Sequence, residues 1–374
     1  MLGVYVHLPF CPYLCPYCDF AKWPLRASAA KQYLAALYAE LQSSPREAAA
    51  TLFLGGGTPN AYDAETLAEL VTRLRSHYAM PDGAEVSIEI NPELVRDGDF
   101  TRYREAGITR VSIGVQSFVP AEIAVLGRKH APDDIVKVVT TARNAGIASM
   151  SLDLIFAVPG QTPQSWRASL DRAIALDVDH ISTYGLTVEA NTPYAAWQLR
   201  EPAAFLDDGR EAELYAIALE ALHAAGYEQY EISNFARSGH RCAHNAHYWA
   251  NGEYVGLGVG AASYRAGLRS VHTRSLERYE TAALAGEEIP SEGERLDALH
   301  RAGEAIMLAL RTTQGVRLRE FKERYGVDVV EHYAPVLARY SEVGLLERTG
   351  DSMRLTERGR FVANDVCGAF VTFD

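Results

Sequence analysis

Over its first 190 residues the chain alternates strictly between short β-type runs and helical stretches. Runs that read as strands fall at 3–8, 51–54, 84–90, 109–115, 148–156 and 179–185. Between them, apolar residues recur at helical spacing over 28–41, 64–78, 97–106, 132–145 and 163–176. Asp63 is placed to cap the second helix, with Thr66 as a weak partner. Gly107 and Gly146 are placed to end the third and fourth. Short loops between alternating elements imply a parallel sheet covered by helices.

Two architectures satisfy that alternation, an open doubly wound sheet and a partial (β/α) barrel. Polar and glycine-rich residues fall at the C-terminal ends of successive strands: the cysteines after the first, Gly55–Thr58 after the second, Glu89 and Asn91 at the third, Gln116 after the fourth, Asp153 within the fifth. Chemistry spread around one rim is how a barrel builds its site. A doubly wound sheet concentrates it at one crevice. The expectation is therefore an α/β fold with a partial (β/α)6 barrel over 1–190.

Three of the five cysteines lie in one loop as Cys11-x3-Cys15-x2-Cys18. Three thiolates can bind three irons of a [4Fe-4S] cube, and full protein ligation would take four. One iron is then open to chelate a small molecule. A zinc site with His7 as fourth ligand also fits the donor types. An odd cluster of cysteines in a long chain argues against a disulfide framework.

The formal charge of -12 argues against a phosphate-backbone binder. The 374 residues suggest about two or three domains, and 48% hydrophobic content is ample for a large core. No apolar run is long enough for a membrane helix. The start, Met1 to Val6, lacks the features of a signal peptide, so a reducing cytoplasm is expected. Beyond residue 190 the pattern changes. A helix is expected over 205–225, short strands and glycines over 227–273, then helices at 275–285 and 295–311. The tail reads as helices at 318–325 and 327–340, a hairpin turning at 349–351, and a last helix from 357. Helices followed by a β-wing suggest a winged-helix-like module, able to bind nucleic acid or to pack as a lid. The expected parts are 1–190, 191–290 and 291–374.

Taken together, the cysteine motif and Gly55-Gly56-Gly57-Thr58-Pro59 resemble the radical S-adenosylmethionine (SAM) superfamily. Within it, Tyr5-x-His7-x-Pro9-Phe10-Cys11, Ser87–Pro92, Gly114–Ser117, Gly127-Arg128-x-His130 and Leu152–Ile155 are similar to oxygen-independent coproporphyrinogen III oxidase and its relatives. One position departs: where the oxidase has a fourth cysteine two residues after the third, this chain has Phe20. The oxidase also has a longer extension before its cluster. His244-Asn245-Ala246-His247-Tyr248-Trp249 matches His-Asn-x-x-Tyr-Trp, the signature of the haem-chaperone branch.

The resemblance implies a cytoplasmic protein, peripheral at the membrane when it delivers haem to respiratory enzymes there. It implies Cys11, Cys15 and Cys18 as cluster ligands, with SAM chelated to the fourth iron. It places Tyr5, Gly56 and Glu89 on that SAM and Tyr17 near its adenine, with ordinary packing as the rival role for Tyr17. In the oxidase a second SAM lies near Gly57, Thr58, Gln116, Arg128 and Asp153. Here that space could hold a second SAM, haem or nothing, and Arg128 could simply pair with Asp153. His244 is the candidate haem contact. Its rivals are a zinc site built with His240, Cys242 and His247, or histidines satisfied by hydrogen bonds. Oxidative decarboxylation of coproporphyrinogen III is the alternative activity, and no nucleic-acid partner is expected.

Overall fold

A computed structural model describes residues 1–371 of the chain. The alternating units form as β1 (Leu2–Leu8), α1 (Ala27–Ser43), β2 (Thr51–Gly56), α2 (Ala64–His77), β3 (Glu85–Ile90), α3 (Asp99–Ala106), β4 (Arg110–Gln116), α4 (Pro120–Val125), α5 (Pro132–Ala145), β5 (Ser149–Phe156), α6 (Pro163–Ala175) and β6 (His180–Gly185). Strands β1 to β6 pair in parallel, each with its successor in the chain. That sequential order separates the two architectures, because a doubly wound sheet reverses direction part-way across. The fold is the partial barrel.

The local signals act as expected at several ends. Asp63 accepts from the Thr66 backbone N–H at 2.8 Å, and the Thr66 hydroxyl returns to its second oxygen at 2.9 Å. Gly107 and Gly146 close their helices in the left-handed region, which a Cβ disfavours. α3 begins at Asp99, two residues later than expected, because Gly98 before it is itself left-handed at φ 89°.

Alternation along each strand sorts its side chains. Val4, Val6, Leu54, Ile88, Ile113 and Leu152 are fully buried beneath the helices. Each such burial stabilises by roughly 1.5–3 kcal/mol. The intervening positions, including Tyr5, Glu89, Ser112, Asp153 and Ser182, face the lumen.

The sheet continues beyond both edges of the barrel. After α7 (Pro193–Arg200) and α8 (Asp208–Ala224), β7 (Glu228–Gln229) and β8 (Asn234–Ala236) add antiparallel beside β6. Helix α9 (Ala243–Trp249) follows. Then β9 (Glu253–Leu257) runs parallel to β1 on its outer edge, and β10 (Ala262–Arg265), β11 (Leu268–His272) and, after α10 (Leu276–Ala285), β12 (Ser291–Arg295) extend it antiparallel. Among the described residues β1 and β6 therefore do not pair with each other, and the barrel is open.

Helix α11 (Ala298–Leu310) leads into a second core built on Ile306, Phe321, Met353, Val366 and Phe370. There β13 (Val316–Arg317), α12 (Leu318–Tyr325), α13 (Val329–His332), α14 (Ala334–Glu342), β14 (Leu346–Thr349) and β15 (Ser352–Leu355) make helices and a three-stranded wing. The single helix expected over 327–340 is two, because Pro335 cannot donate a backbone hydrogen bond and sits in the first turn of α14. The last helix likewise divides at Val362 into α15 (Glu357–Phe361) and α16 (Ala363–Gly368).

Candidate functional site

The loop between β1 and α1 carries the cysteines, and backbone hydrogen bonds fix it to the β2 turn. Gly57 N–H donates to the Leu8 carbonyl at 2.8 Å and Thr58 N–H to Phe10 at 3.1 Å. The far side is held by Trp23 N–H on Pro9 (2.9 Å) and Leu25 N–H on Cys11 (2.8 Å). The glycines permit this closeness. A Cβ on Gly57 would stand 2.7–2.8 Å from the Leu8 and Pro9 backbone. Gly56 adopts φ 105°, and a Cβ there would meet the His7 ring at 2.4 Å.

Cys11, Cys15 and Cys18 line one end of a cavity of about 660 Å³. Every candidate contact from the sequence lines the same space: Tyr5, Tyr17, Gly56, Gly57, Thr58, Glu89, Gln116, Arg128, Asp153 and His244. Glu89 accepts from Gly56 N–H at 3.1 Å. Burial, and then the nearby Asp153 charge, push its carboxyl up to about 7. Burial also pushes the Cys11 thiol up to about 11, against a hydrogen bond from Thr58. Gln116 sits at φ 63°, where β4 slips register against β5. A non-glycine residue held there is backbone strain at the cavity wall.

Arg128 and Asp153 do not pair. The Arg128 guanidinium donates to Asn91 Oδ1 (2.7 Å) and the Gly114 carbonyl (2.9 Å), and lies 3.8 Å from Cys15 Sγ. Asp153 accepts from Ser112 (2.7 Å) and Ser151 (3.2 Å). Ser151 also bonds Nδ1 of His180 at 2.8 Å, and His180 Nε2 meets the Tyr230 hydroxyl at 2.9 Å. Sequence reasoning missed these lumen residues, Arg110, Ser112, Ser151, His180 and Ser182. Their signal was available as a polar residue at every second strand position.

His244 lies at the opposite end of the cavity from the cysteines. α9 packs across the starts of the strands, where Gly3, Thr51 and Glu85 stand. The Glu85 carboxylate accepts from the Ala243 (3.0 Å) and His244 (2.9 Å) backbone N–H groups, a distant cap on the positive end of the helix. It also pairs with buried Arg110 at 3.1 Å. The His244 imidazole stacks on Phe53 (centroids 5.3 Å, 27°), with Nδ1 on the Thr51 hydroxyl and Nε2 on the Tyr248 hydroxyl, both at 2.8 Å. Both ring nitrogens are thus engaged.

The rival zinc set is dispersed. Cys242 lies 3.4 Å from Glu85, His247 bonds the Glu253 carbonyl at 2.7 Å, and His240 lies 3.5 Å from Asp179. Among the described residues no three His, Cys, Asp or Glu side chains converge to hold one metal ion. Three thiols on one loop, anchored by backbone and facing one cavity, fit a cluster that takes three protein ligands and leaves one iron open.

Comparison with known proteins identifies the family. Residues 5–173 match the radical SAM superfamily and residues 296–362 the HemN C-terminal domain. A Bacillus subtilis protein named heme chaperone HemW is 33% identical over 377 aligned residues, 99% of each chain. The chain belongs to the HemW family of radical SAM proteins. HemW of Mycobacterium tuberculosis is 38% identical over 97% of this chain and 93% of its own, and that of Escherichia coli 31% over 99% and 98%. Membership of the radical SAM superfamily implies a [4Fe-4S] cluster and SAM. Among solved structures, Escherichia coli coproporphyrinogen III oxidase (HemN) superposes with a TM-score of 0.87 over 99% of this chain and 90% of its own, at 24% identity. That likeness shows a shared fold. The three HemW relatives align over a similar span at 31–38% identity, and it is they that show the family.

Proposed function

We propose that this HemW-family protein is a haem chaperone: it binds haem, carries a cluster that chelates SAM, and hands haem to respiratory enzymes at the membrane. The observation that carries the reading is near-full-length similarity to proteins named heme chaperone. Phe20 supports it against the oxidase alternative. It stands where the oxidase has a fourth cysteine, it is 63% exposed, and it lines the cavity mouth.

In this reading Cys11, Cys15 and Cys18 hold the cluster, which when bound supplies an electron to SAM. Gly56 and Gly57 let the backbone approach SAM closely, and Tyr5, Tyr17 and Glu89 contact it. Arg128, held by Asn91, puts a fixed positive charge beside Cys15. Thr58, Gln116 and Asp153 line the remaining space, where a second small ligand would lie. The part over 1–190 carries the cluster, 191–290 the barrel floor and outer strands, and 291–374 the second core. No helix among the described residues is long and apolar enough to cross a membrane, and delivery is proposed to occur by peripheral contact from the cytoplasm.

The test is haemin titration of protein purified and reconstituted anaerobically, followed by the Soret band. Parallel samples receive coproporphyrinogen III, SAM and reductant. Tight haem binding without decarboxylated product is expected. Catalytic turnover of the porphyrinogen would replace the chaperone reading with the oxidase.

A further inference from the structure

We propose that haem sits in a second cavity, between α11 and the β9–β11 strands, and not in the cluster cavity or on His244; this rests on the haem-binding reading above. The second cavity measures about 680 Å³. That is within the roughly 300–1,000 Å³ of sites that enclose small ligands. It shares Tyr5, Asp19, Phe20, Glu189 and Tyr248 with the cluster cavity, so a ligand in it would lie beside the cluster loop.

Its walls suit a flat apolar macrocycle. One wall is a run of aromatic rings: Tyr248 meets Tyr254 edge-on (centroids 4.6 Å, 72°), and Tyr254 meets Tyr264 at 6.3 Å and 37°. Met307 and Leu308 of α11 also line the space. Val271 is 37% exposed on β11 and Phe20 63% exposed at the mouth, two large apolar side chains with little cover. Burying them under a porphyrin removes apolar surface from water. Thioether and phenol oxygen are both known haem-iron donors, and Met307, Tyr254 and Tyr264 supply them here. The lining histidine, His7, has both ring nitrogens engaged, on the Tyr5 hydroxyl (3.0 Å) and the Ala21 carbonyl (2.7 Å). His244 stands behind Tyr248.

The charges at the mouth also fit a carboxylate-bearing ligand. Asp19, Glu189 and Glu304 line the cavity with Arg269 and Arg274. Arg269 is committed to Glu294 and Glu304. Arg274 is not so held. Its guanidinium donates to the Asp19 carbonyl and lies 3.7 Å from the Asp19 carboxylate, with side chains 58% and 35% exposed. An exposed pair of that kind contributes little. A haem propionate can take the place of the Asp19 carboxylate on Arg274, leaving the second propionate in solvent.

The experiment compares haemin titrations of full-length wild type, Met307→Arg and Val271→Asp, each with its cluster reconstituted. Thermal unfolding and iron and sulfide content are measured on the same samples. Both substitutions are expected to weaken haem binding by about tenfold or more, with cluster content unchanged. Val271 is exposed on a strand, so Val271→Asp decides the matter should Met307→Arg unfold the second core. Wild-type affinity in both folded variants would overturn the cavity assignment while leaving the haem reading intact. A wild type that binds no haem would overturn the haem reading itself, and the cavity assignment with it.

Discussion

The Nε2 of His244 and the hydroxyl of Tyr248 share a 2.8 Å hydrogen bond that turns the histidine of the His-Asn-x-x-Tyr-Trp motif inward. The other nitrogen is bonded to Thr51, and the ring lies on Phe53. With both ring nitrogens hydrogen-bonded, His244 in the proposal above orients Tyr248 and does not ligate iron. The expected result for His244→Ala is haem bound with an unshifted Soret maximum and an affinity loss of only a few fold, about 1 kcal/mol or less. Disappearance or displacement of the band in this variant would make His244 the iron ligand.

The same burial fixes a pH dependence. Desolvation pushes the His244 imidazole down to about 4, with the Glu85 charge opposing and His247 adding to the effect. In the unfolded chain it titrates near 6.5. Between those values the unfolded state holds a proton that the folded state lacks, so stability rises with pH across this window and is lost as pH falls through it. The loss attributable to His244 is roughly 1.5 kcal/mol from pH 6.5 to pH 5. Buried His180, also held well below its ordinary range, acts in the same direction. Glu89, raised to about 7, acts in the opposite one. Urea unfolding at several pH values should therefore show a flatter acid limb in His244→Gln than in wild type. Parallel curves would contradict the assignment.

The barrel was legible because its signals are local. Alternation, glycine stops and an Asp63 cap each act within a few residues, and they placed all six βα units. α9 was not legible. Its sequence has no apolar periodicity, and its cap is the carboxylate of Glu85, more than 150 residues away in the chain. The parallel pairing of β9 with β1 leaves no mark in either strand, since an edge strand and a covered one can share the same apolar run. Cys11, Cys15, Cys18 and the glycine turn were readable as one site because their spacing is itself chemical. The second cavity was not readable, since its walls come from Phe20, Tyr254, Val271 and Met307, which only tertiary packing brings together.

At Gly57 the β2 turn comes close against the backbone that leads into the cluster loop. A Cβ there would meet backbone atoms of Leu8 and Pro9 below 3 Å, and backbone cannot swing aside as a side chain can. Gly57→Ala is expected to displace the cysteine loop and lower iron and sulfide retained after anaerobic reconstitution, with SAM affinity reduced about tenfold. Gly368→Ala, with open space around its Cβ, serves as the control. Full cluster content and unchanged SAM binding in Gly57→Ala would show that the turn tolerates a side chain.

Glu85 joins three things at the barrel floor: Arg110 of β4, the N-terminus of α9 and the Cys242 thiol. Arg110 is 5% exposed at its side chain and Glu85 15%, so neither charge can be recovered by water. Arg110 Nη1 already lacks a partner, and its Nη2 is spent on the His240 carbonyl at 2.6 Å. Glu85→Gln keeps one acceptor for the helix but leaves the guanidinium uncompensated, a change that typically costs about 3–5 kcal/mol. Replacing both partners, as in Glu85→Gln with Arg110→Met, removes the buried charge altogether. The double variant is therefore expected to lose about 2 kcal/mol less than the sum of the two single losses in urea unfolding at pH 7. The exposed Arg73–Glu69 pair on α2 provides the contrast, and its removal should leave the unfolding midpoint where it was. Additivity at Glu85 and Arg110 to within about 0.5 kcal/mol would mean that the floor is held by packing of α9 rather than by this charge.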